Sequence, residues 1–569
     1  MSTNLERSGH HESPVVETMQ QLIIAFVLAM TFRGFVAEGF VIPTGSMAPT
    51  LMGRHLAMTS STTGYDFAVG FEQSGGQGAS QKRGLSQNEL RKLVDPNLEG
   101  VYPFKLVNTN RLMYPGSATD PAMKGLTPRL GDRIFVLKTL YPFRQPDRFD
   151  VVVFKNPTDP IGDAQNYIKR LIGLPNETIW IADGDVFSST SEGTPFQVRR
   201  KSEHVQRAVW QPVHRSDATV VGKSNFTKTY VSANRPFPSS PWRGDAWKLN
   251  DRVYACDSDE PTALQWDSNR FPITDWNHYN LLTANTQMQA WPVSDVRVAG
   301  SIVREKANLT TTLELRARSH VFEFNVTETQ ATIHMRLVDS DTPDGQKTVT
   351  ADIELPPAGD VFNVEFWHAD QRAAIYIDGR LAVEILYDWN PEQRMRFATG
   401  LLNTGVSIRA IYDRLQPFSP TTTRRNTTPA PIQSPELTWR FAGTPLTMQR
   451  VDVDRDLAYQ YMPVIPVARR HPENGPTRMP TYGTHPDHLA TLGPDHYMMA
   501  GDNSPASLDS RWWGEPHPIV EAQVDTAAFL VHRKLLLGKA WTVYFPSPQP
   551  RQPGGAKFVP DFGSLRFIR

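Results

Sequence analysis

The sequence predicts a mainly β protein of three or four units, and three observations carry that expectation. Its 569 residues are too many for one core at roughly 100–200 residues per domain. Its 46 prolines and 37 glycines imply many turns and short strands. Between about residues 301 and 411, "TLELRARSHVFEFNVT", "ATIHMRLVD", "KTVTADIEL" and "AAIYIDGRLAVEIL" alternate apolar and polar side chains. That period of 2 belongs to half-buried antiparallel strands.

Taken in order, residues 1–18 form a polar tail. Residues 19–37 hold an unbroken low-polarity run from Leu22 to Phe32, followed by Arg33. With Arg33 snorkelling to the interface, the 18 residues Met19–Val36 are at the lower limit for a transmembrane helix crossing about 30 Å of hydrocarbon. No A-x-A site follows, and Arg7 stands among Glu6, Glu12 and Glu17, which favours a retained anchor over a cleaved signal. Charge leaves its orientation open. Residues 38–52 contain "VIPTGSMAPTL", and a Gly, Ser, Thr and Gln-rich insertion covers 53–128. In 129–194, "RIFVLK", "FDVVVFKNP", "NYIKRLIGLP" and "TIWIADGDVF" read as strands joined by turns. Residues 195–300, rich in Trp, Asp and Pro, are an insertion of unclear fold. An inserted β-sandwich spans 301–415, with Asp378–Gly379 as a hairpin turn. There "VFNVEFWHADQRAAIYIDGRLAVE" resembles laminin-G or lectin-like jelly rolls. A Thr/Pro-rich linker covers 416–439, residues 440–549 follow, and 550–569 form a tail.

Lys plus Arg and Asp plus Glu both total 59, so no overall field recruits nucleic acid. The lone Cys256 cannot form an internal disulfide, and no Cys or His cluster has zinc spacing. Neither a metal nor a cofactor is expected.

Three stretches could carry chemistry. Ser46 lies in "PTGSMAP", either as a nucleophile or as a hydroxyl in a turn. It needs a base, and neither a G-x-S-x-G elbow nor a His/Asp spacing supplies one. A lysine serves only if burial makes its neutral form accessible. At an ordinary pKa near 10.4, about 0.04 % is neutral at pH 7, so the site must lower that pKa by about 2 units. Lys169, flanked by Tyr167, Ile168, Leu171 and Ile172, is placed for this, although a strand lysine ordinarily keeps its head in water. The third stretch, "GDNSPASLDSRWWG", could be a polar loop with an Asp509–Arg511 pair.

Together and in this order, "FVIPTGSMAPTLMG", "RLGDRIFVLK", "RFDVVVFKNP" with "NYIKRLIGLP", "YMMAGDNSPASLDSRWWG" and "LLGKAWTVYFP" resemble the boxes of the type I signal peptidases. These are membrane-anchored Ser/Lys proteases. The resemblance implies a discontinuous β catalytic domain over 38–52, 129–194 and 440–549. It implies Ser46 as nucleophile, Lys169 as general base, and Ser46 N–H with the Thr44 hydroxyl as oxyanion hole. It makes Ser507 the residue that orients the lysine, with Asp502, Asp509, Arg511 and Arg170 as structural support. It places Phe40, Ile42, Pro43, Tyr167 and Ile168 in a substrate pocket for small side chains of an extended signal peptide. The implied partners are preprotein signal peptides and the lipid bilayer, with no nucleic acid. The implied location is the bacterial cytoplasmic (inner) membrane, single-pass, with the catalytic domain extracytoplasmic. The sequence departs from the family in "LPNETI" and at Ser504, where an arginine is common, and neither change removes a catalytic atom. Two rivals differ in kind. A self-cleaving repressor of the same clan would need a DNA-binding helical domain. A membrane-tethered binding protein would use the sandwich for a glycan or protein ligand on a degenerate peptidase frame, and a Lys169 amine out of reach of Ser46 would favour it.

Overall fold

In the computed structural model the described residues are 14–31, 36–59, 63–70, 129–161, 166–190, 193–218, 240–250, 252–269, 271–282, 290–338, 346–402, 404–413, 434–460, 481–550 and 558–569, with single positions between them. They form a mainly β structure. One antiparallel sheet runs in the order Ala37–Val41, Arg133–Leu137, Leu536–Phe545, Val151–Lys155, Asn166–Gly173, His496–Ala500 and Val531–His532. Its strands are consecutive in space but drawn from both ends of the chain. Runs such as "VVVF" suit strands covered on both faces. Val151, Val153 and Ile168 pack with Ile42, Met47, Leu51 and Val136, while Val152, Phe154 and Leu171 pack with Tyr141, Tyr497, Met499 and Trp513. A smaller sheet joins Ala490–Thr491, Thr178–Ala182, Asp185–Ser189 and Gln197–Val198.

Two further sheets of eight and seven strands close over one core that includes Trp266, Phe324, Phe366 and Trp439. The rings of Phe366 and Trp439 meet across it at 5.5 Å. This sandwich is larger than the predicted 301–415. Gln211–His214, Val253–Cys256 and Thr262–Trp266 belong to it, as do Glu436–Ala442 and Leu446–Arg455. The region given no clear fold therefore supplies strands, and the start of the 440–549 segment belongs to the sandwich. Its strands of two to five residues were too short to show alternation, and two of them, Val253–Cys256 and Thr262–Trp266, pair with Leu446–Arg455 and Glu436–Ala442 far along the chain. The predicted 550–569 tail is also partly structural, because Arg566–Phe567 pairs with Leu536–Phe545. Most of 53–128 and of the 416–439 linker lies outside the described residues, but His55–Thr59 and Asp66–Gly70 form a hairpin.

The N-terminal helix spans Pro14–Thr31 rather than 19–37, and Ala37 already opens a strand. Among the described residues, no helix is long and apolar enough to cross a membrane. Its apolar side chains nonetheless stand free of the fold, with Leu22, Phe26 and Leu28 each at least 60 % exposed.

The sandwich and the smaller sheet meet through buried charge. Arg318 pairs with Asp183 at 2.6 Å, Arg394 with Asp183 and Asp295 at 2.9 and 3.0 Å, and Lys201 with Asp370 and Asp456 at 2.7 and 2.9 Å. Asp185, Asp295 and Asp370 bring carboxylate oxygens within 4.8 Å of one another there. Arg394 and Lys201 lie against all three.

Candidate active site

The turn that carries Ser46 is pinned by its apolar neighbours. Met47, Ala48 and Leu51 are fully buried, while Ser46 is half-buried at the surface. Inside the turn, Ala48 N–H donates to Gly45 O at 3.0 Å and Leu51 N–H to Met47 O at 2.9 Å.

Lys169 reaches this turn from the strand Asn166–Gly173, where it pairs with Val152. Its Nζ donates to Ser46 Oγ at 2.6 Å and to Ile168 O at 3.2 Å. The side chain is buried, and desolvation lowers its pKa from 10.5 to about 8, with Asp509 and Asp502 opposing the shift and Arg511 favouring it. About a tenth of the lysine is then neutral at pH 7. The shift meets the requirement set by the sequence.

Both carboxylates near the lysine are occupied by arginines. Asp502 receives Arg170 Nε at 2.8 Å and Nη2 at 2.6 Å, and also the Thr50 hydroxyl at 2.5 Å. Asp509 receives Arg511 Nε at 2.9 Å and Nη2 at 2.8 Å, and Gly501 N–H at 2.9 Å. Burial pushes the Asp509 carboxyl up, but Arg511 and these hydrogen bonds hold it below its ordinary value. Paired in this way, the two acids attract the Lys169 ammonium less than free carboxylates would. Ser504 accepts from Arg511 Nη1 at 2.8 Å, so the residue that departs from the family pattern anchors the same arginine.

The remaining predicted residues divide. Phe40, Ile42 and Ile168 share one apolar cluster. Tyr167 does not join it: its ring packs with Phe154 and Trp513 and lies 5.0 Å from Lys169 Nζ, beside the lysine. Alternation along the strand puts Tyr167 and Lys169 on one face and Ile168 on the other. Pro43 and Thr44 are exposed in the turn. Ser507 is buried beside Gly501 and the Ser46 carbonyl, and a Cβ on Gly501 would lie 2.2 Å from Ser507 Oγ. That hydroxyl makes no hydrogen bond to Lys169 among the described residues, contrary to the orienting role expected for it. The amine turns to Ile168 O instead.

Sequence reasoning missed Asn503, Gln211 and Asn280. Asn503 donates to Gly45 O and pairs with Asn280, and Gln211 Nε2 donates to Asp502 O at 3.2 Å. Asn503 stood inside a recognised box, but the other two lie where no motif marks them.

Comparison with known proteins gives matches over part of the chain. The family described as signal peptidase, peptidase S26, matches residues 117–235, which include Lys169. "Signal peptidase I V" of Bacillus subtilis is 32 % identical over 102 residues, covering 18 % of this chain and 58 % of that protein. "Probable signal peptidase I-2" of Synechocystis sp. is 36 % identical over 77 residues, covering 13 % and 32 %. "Signal peptidase I" of Pseudomonas aeruginosa is 31 % identical over 90 residues, covering 16 % and 28 %. The chain thus spans about a third of the length of the last two. Among solved structures, the carbohydrate binding module CBM66 from Bacillus subtilis matches 38 % of this chain and 95 % of its own, with 10 % identity and a TM-score of 0.21. A Bacillus subtilis protein of unknown function with a galectin-like fold matches 43 % and 97 %, with 10 % identity and a TM-score of 0.23. Over these partial stretches the chain is similar to the type I signal peptidases, whose ordered boxes its sequence also resembles.

Proposed function

We propose that the protein is a membrane-bound serine endopeptidase that releases N-terminal signal peptides from exported preproteins. The observation that carries this reading is the 2.6 Å contact between Lys169 Nζ and Ser46 Oγ, in a site that lowers the lysine pKa to about 8. Neutral Lys169 takes the Ser46 proton as Oγ attacks the scissile carbonyl, and the ammonium so formed protonates the departing amine. The same amine then deprotonates the water that hydrolyses the acyl-enzyme. Ser46 N–H and the Thr44 hydroxyl serve the oxyanion, and one such donor is worth roughly 3 kcal/mol in the transition state.

The substrate binds as an added strand. Ala37–Val41 ends its sheet, pairing among the described strands only with Arg133–Leu137. Its open edge suits an extended peptide whose small side chains rest on Phe40, Ile42 and Ile168. The proposed anchor is the apolar stretch of residues 19–37, whose described part up to Thr31 stands exposed, holding the chain in the bacterial cytoplasmic membrane with the Ser46 site on the extracytoplasmic side. A preprotein still held in the bilayer by its signal peptide would then meet Ser46 near the membrane surface. The 2.6 Å contact weighs against the binding-protein reading, which needs Ser46 and Lys169 apart.

Purified Ser46→Ala and Lys169→Ala should leave a preprotein uncleaved while remaining folded by circular dichroism. Processing retained by either variant would sink the proposal.

A further inference from the structure

The nucleophile turn is held from outside its own sheet. Gly45 O accepts from Asn503 Nδ2 at 3.0 Å and from Ala48 N–H at 3.0 Å, while Ser46 O accepts from Asn503 N–H at 3.0 Å. In a trans peptide the N–H points opposite the C=O. Fixing Gly45 O therefore fixes the direction of the Ser46 N–H, the main-chain donor offered to the oxyanion.

Asn503 is in turn held by Asn280. Their amides form a reciprocal pair, 2.8 Å in each direction, and both side chains are buried. With the bond to Gly45, both amide hydrogens and the oxygen of Asn503 are engaged. Asn280 closes the short turn His278–Asn280, where the Asn277 side chain accepts from Tyr279 N–H at 2.8 Å. The Tyr279 ring lies so close to Gly45 that a Cβ there would approach it to 2.0 Å, and its hydroxyl donates to Arg54 O at 3.0 Å. Two residues of the 195–300 insertion, outside every family box, thus back the peptide that precedes Ser46.

We infer that this insertion supplies a strut for the nucleophile: Asn280, acting through Asn503, orients the Gly45–Ser46 peptide toward the oxyanion, and Tyr279 packs behind it. Both are positioning residues, and neither touches Ser46 Oγ or Lys169. The kinetic part of the inference rests on the peptidase reading, whereas the structural part does not.

The test uses Asn280→Ala and Asn280→Asp in the full chain, with a signal-peptide substrate. Asn280→Ala should lower kcat about a hundredfold, as loss of one oxyanion donor does, with KM changed by less than about twofold. The acid limb of its pH profile should not move, because the surroundings of Lys169 are unaltered. Asn280→Asp keeps an acceptor for Asn503 Nδ2 but loses a donor, and should recover part of the rate. Hydrogen exchange gives a readout independent of activity. The Ala48 and Asn503 amides should exchange faster in both variants, while Val151–Lys155 and Val361–Ala369 keep their protection. Should Asn280→Ala fail to fold, Asn280→Asp carries both readouts. A wild type that cleaves nothing would defeat the peptidase reading and leave exchange to decide the strut. Unchanged exchange at Ala48 and Asn503, or unchanged kcat in an active enzyme, would overturn the inference.

Discussion

Replacing Lys169 with methionine removes the ammonium and keeps an unbranched apolar side chain in its place. Burial lowers the Lys169 pKa from 10.5 to about 8, and each unit corresponds to about 1.4 kcal/mol. Holding the protonated lysine in this site therefore costs the fold about 3 kcal/mol at neutral pH. Methionine forfeits the hydrogen bonds to Ser46 Oγ and Ile168 O, a net loss of about 1 kcal/mol. Lys169→Met should thus be inactive yet more stable than wild type by about 2 kcal/mol at pH 7. The pH dependence fixes the sign. Between about pH 8 and 10.5 the unfolded chain binds the proton and the folded chain does not, so wild-type stability rises with pH across that window. The advantage of methionine is complete below the folded pKa and fades toward pH 10.5. Urea denaturation followed by far-UV circular dichroism at pH 7 and pH 10 measures both quantities. Equal midpoints at pH 7, or an advantage undiminished at pH 10, would refute the claim that burial of charge sets the lysine pKa.

Other outcomes follow from the same geometry. Cleavage of a signal-peptide substrate should rise with pH to half its maximum near pH 8, as Lys169 loses its proton; a midpoint near 10 would remove it as the base. Arg170→Met leaves Asp502 buried without its bidentate partner and should destabilise by about 3–5 kcal/mol in thermal or urea unfolding. Trp439→Ala empties the middle of the sandwich core and should cost about 3–5 kcal/mol, read on the same instruments. Ser507→Ala removes a buried hydroxyl whose hydrogen bond to the Asp509 carboxyl helps Arg511 hold that acid below its ordinary pKa, so stability should fall by about 1–3 kcal/mol.

The parts of the site that could be read from sequence are those written in contiguous residues. "PTGSMAP", "NYIKRLIGLP" and the loop from Gly501 each carry their own chemistry, and the structure brings all three together. The charge pairs Arg170–Asp502 and Asp509–Arg511 were legible for the same reason. Asn280 was not, because its role comes from a turn that meets a loop 223 positions away. Tyr167 was misplaced although its neighbours were right, since one residue of strand register separates the pocket face from the lysine face. The sandwich showed clearly only where strands reach six or more residues, as in Lys347–Asp352, Thr310–Ala317 and Val361–Ala369. Two-residue strands such as Trp242–Arg243 have no period to detect.

The strand order of the Lys169 sheet also bears on synthesis. Ser46 and Lys169 leave the ribosome early, but the strand beside Lys169 is His496–Ala500, and the partners of Arg170 and of the Gly45 carbonyl are Asp502 and Asn503. A nascent chain shorter than about 500 residues carries the reactive pair without the residues that seat it. On the proposed peptidase reading, the reactive pair is therefore seated only once Asp502 and Asn503 have been made. The order in which the residues are made thus separates the appearance of Ser46 and Lys169 from that of the groups that hold them in place.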